Sequence, residues 1–311
     1  MNKIIVITGP TATGKTALGA SLARAAGGEV VSADSMQVYR HMDIGTAKPT
    51  ESEKLGVPHH MLDVAAPRED FSAARYVGEA SVCVDDILLR GRLPVLVGGT
   101  GLYIDSLISG AGFSTRGDVK LRSELEEEYD ALGGSSMLET LRGFDPESAG
   151  RLHANDKKRI VRAIEVYRAT GKTISAHDET TKLQPPRYNA VKFALTFADR
   201  SVLYARIEAR IDAMLESGLE AEVRSLLAAG VLPGSTAMQA IGYKEIVGAI
   251  NGEYDMDTAV SRIRQESRRY AKRQLTWLRR DAGVKWITWE KEPDIESSVR
   301  SIMTELHNEA N

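Results

Sequence analysis

The sequence predicts an α/β fold: a doubly wound parallel sheet with a helical insertion. Three observations carry that prediction. Short apolar runs at 3–8, 29–33, 93–97 and 190–197, with a fifth at 284–289, have the length of strands buried on both faces. Helical patterns at 15–26, 71–90, 200–216, 218–229, 239–250 and 256–281 separate them, and such alternation builds a parallel sheet flanked by helices. The rhythm stops between about 115 and 185, where helical segments 119–131, 135–142 and 157–169 are joined at Gly133-Gly134, Asp145-Pro146 and Gly171. We therefore expect a core of 1–114 and 186–311, interrupted by a helical insertion, 115–185, that closes near Pro185-Pro186. No internal repeat or low-complexity tract is present.

The first strand is decisive. Ile4-Ile5-Val6-Ile7 runs into Gly9-Pro10-Thr11-Ala12-Thr13-Gly14-Lys15-Thr16, a G-x-x-x-x-G-K-[ST] phosphate-binding loop in its strand-to-helix setting. Gly9 and Gly14 let the backbone curl so that amides converge on phosphate oxygens, and the following helix aims its positive end at the same place. Lys15 adds a flexible charge, and the Thr16 hydroxyl can hold Mg²⁺. The core is thus a P-loop sheet. Alone, the loop would suit ATP or GTP.

Composition bounds the rest. At 311 residues, with 42% hydrophobic and 27% charged residues, the chain fits one large domain or a core plus a smaller unit. No apolar stretch approaches a membrane span, and the first strand is too short and wrongly flanked for a signal peptide, so a cytoplasmic protein is expected. One cysteine, Cys83, excludes an internal disulfide and a cysteine-rich zinc site; its helical context suggests a buried core thiol.

Two further turns belong to the same sheet edge. Asp34 follows the second strand, where ligands of such sheets collect. Its carboxylate suits proton acceptance, the outer shell of Mg²⁺, or a plain helix cap. Val97-Gly98-Gly99-Thr100-Gly101 follows the strand at 93–97; its glycines allow close backbone approach, and the Thr100 hydroxyl is expected to face the same crevice. A simple strand-to-helix turn would look the same. The strand Pro94–Val97 carries no Walker-B aspartate, and no Asn-Lys-x-Asp run exists. A motor ATPase or GTP switch is disfavoured.

The net charge of −3 hides two basic stripes. Arg262 to Arg280 holds eight Lys/Arg against Glu266 alone, and Arg151 to Lys172 holds seven against Asp156 and Glu165. Arg262, Arg269, Arg273 and Arg280 share one helical face, widened by Arg268, Lys272 and Arg279, while Ile263, Tyr270 and Trp277 would dock that helix on the core. Lys157, Lys158, Arg159 and Arg162 form the second cluster. Dense, nearly unopposed charge favours a polyanion over a merely solvated face. Arg206 and Arg210 share a face at i, i+4, and the residues alone suggest a solvated surface pair. Adjacent His59-His60 makes a poor metal site, because neighbouring side chains diverge.

Together these runs resemble one family. Asp34-Ser35-Met36-Gln37-Val38-Tyr39-Arg40 and Met42-Asp43-Ile44-Gly45-Thr46-Ala47-Lys48-Pro49 look like the signature of tRNA dimethylallyltransferases, also called tRNA isopentenyltransferases. Val57-Pro58-His59-His60, Val97 to Tyr103, Gln239 to Lys244 and Lys272 to Trp277 match further family blocks. The resemblance spans nearly the whole chain and suits the bacterial form, since the C-terminal zinc finger of eukaryotic members is absent. His41 departs from the usual glycine, which should affect only a local turn.

The resemblance implies transfer of a dimethylallyl group from its diphosphate to N6 of the adenosine 3′ of the anticodon, in tRNAs reading codons that begin with U. Pyrophosphate leaves; Gly9 to Thr16 would hold it, with Mg²⁺ at Thr16 as the cofactor. Asp34 would take the amine proton, Thr100 would orient the reacting groups, and Lys15 and Arg210, in preference to Arg206, would stabilise the leaving group. The adenine must leave its stack to react. Family segments that touch tRNA correspond to Asp34, Ser35, Met36, Gln37 and Thr100; to Arg122, Lys158, Arg159, Ile160, Val161 and Arg162; and to Gln239, Gly242, Tyr243, Lys244, Lys272, Arg273, Gln274, Trp277 and Arg279. The expected partners are the tRNA anticodon stem-loop and dimethylallyl diphosphate, met in a channel between core and insertion by a monomer. A small-molecule kinase, an adenylate isopentenyltransferase and an RNA-binding module with a vestigial loop are the rivals. The first two leave the basic helix unexplained, and the third makes the phosphate loop idle.

Overall fold

The computed structural model describes residues 3–110 and 119–308. In chain order come β1 (Lys3–Thr8), α1 (Lys15–Ala25), β2 (Glu29–Ser32), β3 (His59–His60), α2 (Ala73–Leu89), β4 (Pro94–Val97) and α3 (Gly101–Ser109). Five helices follow: α4 (Val119–Leu132), α5 (Gly134–Arg142), α6 (Pro146–Arg151), α7 (Lys157–Thr170) and α8 (Ile174–Lys182). The chain then returns to β5 (Asn189–Phe197), α9 (Arg200–Glu216), α10 (Leu219–Ala228), α11 (Tyr243–Ile250), α12 (Met256–Leu278), β6 (Val284–Trp289) and α13 (Ile295–Asn308).

Six parallel strands form one sheet in the order β3-β2-β4-β1-β5-β6. The expected α/β class and its five strands are present, each within a residue of its expected bounds. Ile4, Ile5, Val6 and Ile7 of β1 are all fully buried, as a central strand covered on both faces requires. The expected helix over 239–250 begins later. A short 3₁₀ turn at Ala237–Gln239 is followed by Gly242 at φ 99°, a backbone no regular helix adopts, and α11 starts behind it. Strand β3 was not anticipated; its two residues pair with Val30 and Val31 at the sheet edge.

The chain divides into two compact units, Met1–Ile108 with Arg187–Asn311, and Ser109–Pro186. The expected boundary between 114 and 115 lies outside the described residues. The second unit holds its own core of Leu125, Met137, Leu141, Ala149, Ile160, Val161, Ala163 and Ile164. Among the described residues no helix is long and apolar enough to cross a membrane. Cys83 is half-buried on α2 rather than sealed in the core, and its thiol is pushed up in pKa by partial burial.

Buried Glu29 begins β2, away from the strand's carboxyl end. It accepts hydrogen bonds from Arg90 Nη2 at 2.9 Å and Arg92 Nη1 at 2.9 Å, and pairs with His60 Nε2 at 2.7 Å. His60 is therefore a structural partner, while His59 Nδ1 meets the Val57 carbonyl at 2.8 Å. His41 sits at φ 64° on the surface, the left-handed backbone that glycine adopts without strain.

Candidate active site

The register Ile7↔Val97 and Ser32↔Val97 brings the ends of β1, β4 and β2 level. The loops that follow them therefore emerge together. They enclose a cleft of about 800 Å³ with side chains from α9 and α12, a size that suits a small ligand.

After Thr8 the chain turns at Gly9, φ 144°, where a Cβ would lie 2.6 Å from the Leu195 carbonyl oxygen. Gly14, φ 82°, precedes α1, and Ala12 holds φ 64° despite its side chain. That is local strain at a candidate ligand site. Thr13 Oγ1 and Lys15 Nζ both donate to the Pro10 carbonyl, at 2.8 and 2.6 Å. The Lys15 residue is only half-buried, but its amine folds back into the loop. Burial, then the charge of Arg210, lowers its pKa from 10.5 to about 7, with Asp34 opposing. The Thr16 side chain lines the cleft and makes no hydrogen bond among the described residues.

Asp34 stands opposite in charge. Its Oδ1 accepts from the amides of Met36, at 2.9 Å, and Gln37, at 3.3 Å, an Asx turn that fixes the carboxylate. Oδ2 has no donor among the described residues, and Asp34 lines the cleft. One oxygen is thus a cap and the other is available. Thr100 joins the neighbouring turns: its Oγ1 accepts from the Ser35 amide at 3.1 Å, and its amide donates to the Ala33 carbonyl at 3.1 Å. Gly98 permits this approach, since a Cβ there would lie 2.2 Å from the Ala33 oxygen. Tyr270 rests against Thr100, and its phenol is pushed up to about 12, chiefly by burial and then by the Asp34 charge.

The two arginines of α9 differ sharply. Arg206 Nε donates to the Ala12 carbonyl at 3.2 Å and its Nη1 pairs with Glu292 at 2.8 Å. Arg210 makes no hydrogen bond or ion pair among the described residues, and burial lowers its pKa while Asp34 and Glu53 oppose. Lys15 and Arg210 therefore bring two poorly solvated basic groups to one place, and an anion there would favour their charged forms.

Several residues expected to contact RNA are buried or engaged within the protein. Ile160 and Val161 are buried in the second unit's core, because they lie on the apolar stripe of α7. Tyr243 is fully buried and Gly242 buried beside it; the Tyr243 hydroxyl donates to Glu222. Gln37 spends its amide on the carbonyls of Thr46 and Ala47, at 3.2 Å each. Gln274 is buried and spends its amide on the protein as well. Arg122 and Arg162 both reach the buried Glu165 Oε2, at 2.8 and 3.0 Å. The basic face of α12 is also less unopposed than its own sequence implies. Arg264 pairs with Asp212, Arg268 with Glu208 and Arg269 with Glu266.

Other expected contacts remain accessible. Lys158, Arg159, Gln239, Lys272, Arg273 and Arg279 are exposed. Ser35, Met36 and Lys244 line the cleft. Trp277 is half-buried and donates its indole N–H to Asp105 at 2.7 Å.

One structural residue escaped the sequence reading. Glu222 on α10 accepts from the amides of Asp43 at 2.8 Å, Ile44 at 2.9 Å and Gly45 at 3.2 Å, so it anchors the Met42–Lys48 run. Nothing near Glu222 in sequence marks that long-range role. Among the described residues no cluster of three or more His, Cys, Asp or Glu could hold a metal by itself.

Known proteins are similar to this chain in sequence and fold. The family model described as IPP transferase matches residues 37–281, and that of isopentenyl transferase matches 2–66. A tRNA dimethylallyltransferase of Acetivibrio thermocellus is 46% identical over 303 residues, covering 97% of this chain and 96% of the relative. The crystal structure of a tRNA isopentenylpyrophosphate transferase from Bacillus halodurans superposes with a TM-score of 0.75 at 39% identity, covering 100% of this chain and 98% of that one. A eukaryotic dimethylallyltransferase captured acting on tRNA gives a TM-score of 0.77 at 29% identity, over 92% of this chain and 73% of that one. This chain belongs to the tRNA dimethylallyltransferases, a family of prenyl-transferring enzymes.

Proposed function

We propose that the protein transfers the dimethylallyl group of dimethylallyl diphosphate to N6 of the adenosine 3′ of the anticodon, in tRNAs that read codons beginning with U. One observation carries this reading. The desolvated Lys15 and Arg210 share a single cleft with a fixed carboxylate, Asp34, that keeps one oxygen free of donors. Lys15 and Arg210, with the loop amides, suit a diphosphate; Asp34 suits a nucleophile that must lose a proton.

In this reading N6 of the extruded adenine attacks the allylic carbon, and the carbon–oxygen bond breaks with its electrons going to the diphosphate. Lys15, Arg210 and the loop amides stabilise that growing charge. Asp34 Oδ2 accepts the amine proton as the C–N bond forms. Thr100, bonded to Ser35 and backed by Tyr270, sits behind the lining and positions Ser35, which faces the cleft. Mg²⁺ fits this donor set, because the free Thr16 hydroxyl faces the cleft and such ions otherwise take phosphate oxygens and water. When bound there, it would neutralise charge on the diphosphate.

The test supplies dimethylallyl diphosphate and Mg²⁺ with unmodified tRNA, AMP or ATP in parallel. Prenyl incorporation into tRNA alone is expected. Incorporation into AMP or ATP, or phosphorylation of a metabolite from ATP, would replace this reading. An Asp34→Asn protein should lose turnover far more than tRNA affinity; equal losses would remove Asp34 as the base.

A further inference from the structure

The inner face of α12 meets the 99–101 turn residue by residue. Tyr270 rests on Thr100, Gln274 on Gly99 and Trp277 on Gly101. Gln274 does more than pack. Its Oε1 accepts the Thr11 amide of the phosphate loop at 3.0 Å, and its Nε2 donates to the Gly99 carbonyl at 3.0 Å. One buried amide, 5% exposed, thus bridges the loop behind β1 and the turn behind β4. Gly99 is part of the device, since a Cβ there would lie 2.2 Å from Gln274 Nε2.

We infer that Gln274 is a positioning residue for the transfer step: it fixes the spacing between the leaving-group loop and the Thr100–Asp34 wall. The inference rests on the proposed prenyl transfer. The diphosphate would lie on one side of this bridge and the incoming amine on the other, so their alignment depends on a distance that the amide sets. A small misalignment is costly in such reactions. Sequence resemblance places Gln274 among tRNA contacts, yet both ends of its amide are spent inside the protein. Its neighbours Lys272 and Arg273 face solvent on the same helix. The helix that carries the basic face therefore also sets the site's internal spacing.

The experiment compares wild type, Gln274→Met, Gly99→Ala and the double variant. Gln274→Met keeps the side chain's length and removes both hydrogen bonds. Gly99→Ala displaces the amide from the other side. Each single change should lower kcat about 10- to 100-fold, with tRNA Kd within about threefold because no RNA contact is removed. The double variant should be little worse than either single one, since both break the same bridge. Hydrogen exchange at the Thr11 amide should accelerate in both singles.

Loss of tRNA affinity in step with kcat would overturn the inference in favour of a direct RNA contact. So would a kcat within twofold of wild type, or fully additive losses. Should Gln274→Met fold poorly, Gly99→Ala carries the same test. Absence of any transfer by the wild-type protein would instead sink the prenyl-transfer reading itself.

Discussion

Replacing Lys15 with methionine should stabilise the empty protein while abolishing transfer. The amine falls from a pKa of 10.5 to about 7 on folding, mainly through burial and then through Arg210. Between the fully protonated and fully neutral limits that fall corresponds to roughly 5 kcal/mol. Near pH 7 the folded amine is about half protonated and the unfolded one fully so, hence unfolding takes up about half a proton. Wild-type stability then rises with pH across the window from about 7 to 10.5. The Lys15 contribution between pH 7 and pH 9 is about 2 kcal/mol. Methionine keeps the apolar stem, drops the charge and forfeits the bond to Pro10, worth about 1 kcal/mol. Urea denaturation at pH 6, 7, 8 and 9 should show Lys15→Met more stable than wild type at pH 7. The gap should narrow by about 2 kcal/mol towards pH 9. A constant or widening gap would refute the desolvated-amine account.

Other charged groups give four further expected outcomes. Arg210→Met should raise the KM for dimethylallyl diphosphate and lower kcat, together on the order of 100-fold or more in kcat/KM, without loss of thermal stability; Arg206→Met should instead loosen the phosphate loop, read as faster hydrogen exchange over residues 9–16. Glu29 is held at about 2, against an ordinary 4.5, first by its hydrogen bond to Arg90 and also by His60. Its stabilisation is complete above about pH 4.5 and disappears as pH falls towards 2, a loss of roughly 3 kcal/mol that acid titration of Glu29→Gln should lack. The double variant Arg269→Ala, Arg273→Ala should weaken tRNA binding and flatten its salt dependence by about one to two counterions; binding unchanged across salt would assign that face to solvent alone.

Local patterns were legible where one segment supplies the whole cause. Ile4–Ile7 followed by Gly9–Thr16 announces a buried strand and a phosphate loop, because spacing and glycine placement are themselves the physics. Asp34 and Gly98–Thr100 were legible as turns at the same sheet edge. The two-residue strand β3 was not, since His59-His60 has no apolar pattern and exists as a strand only by pairing with β2. Long-range partners were invisible too. Glu208 and Asp212 lie on α9, far in sequence from the α12 arginines they meet. Glu165 likewise pairs across helices with Arg122, and a buried polar residue such as Gln274 looks, in sequence, like a surface one.

The fate of the two halves of the donor tests the central claim most directly. Dimethylallyl diphosphate labelled separately in its allyl carbons and its phosphorus would be incubated with the protein, Mg²⁺ and unmodified tRNA. The account predicts carbon label on an adenosine N6 beside the anticodon and all phosphorus label released as intact pyrophosphate. Orthophosphate release, phosphorus label on any acceptor, or carbon label absent from tRNA would contradict a loop whose task is to hold a departing diphosphate.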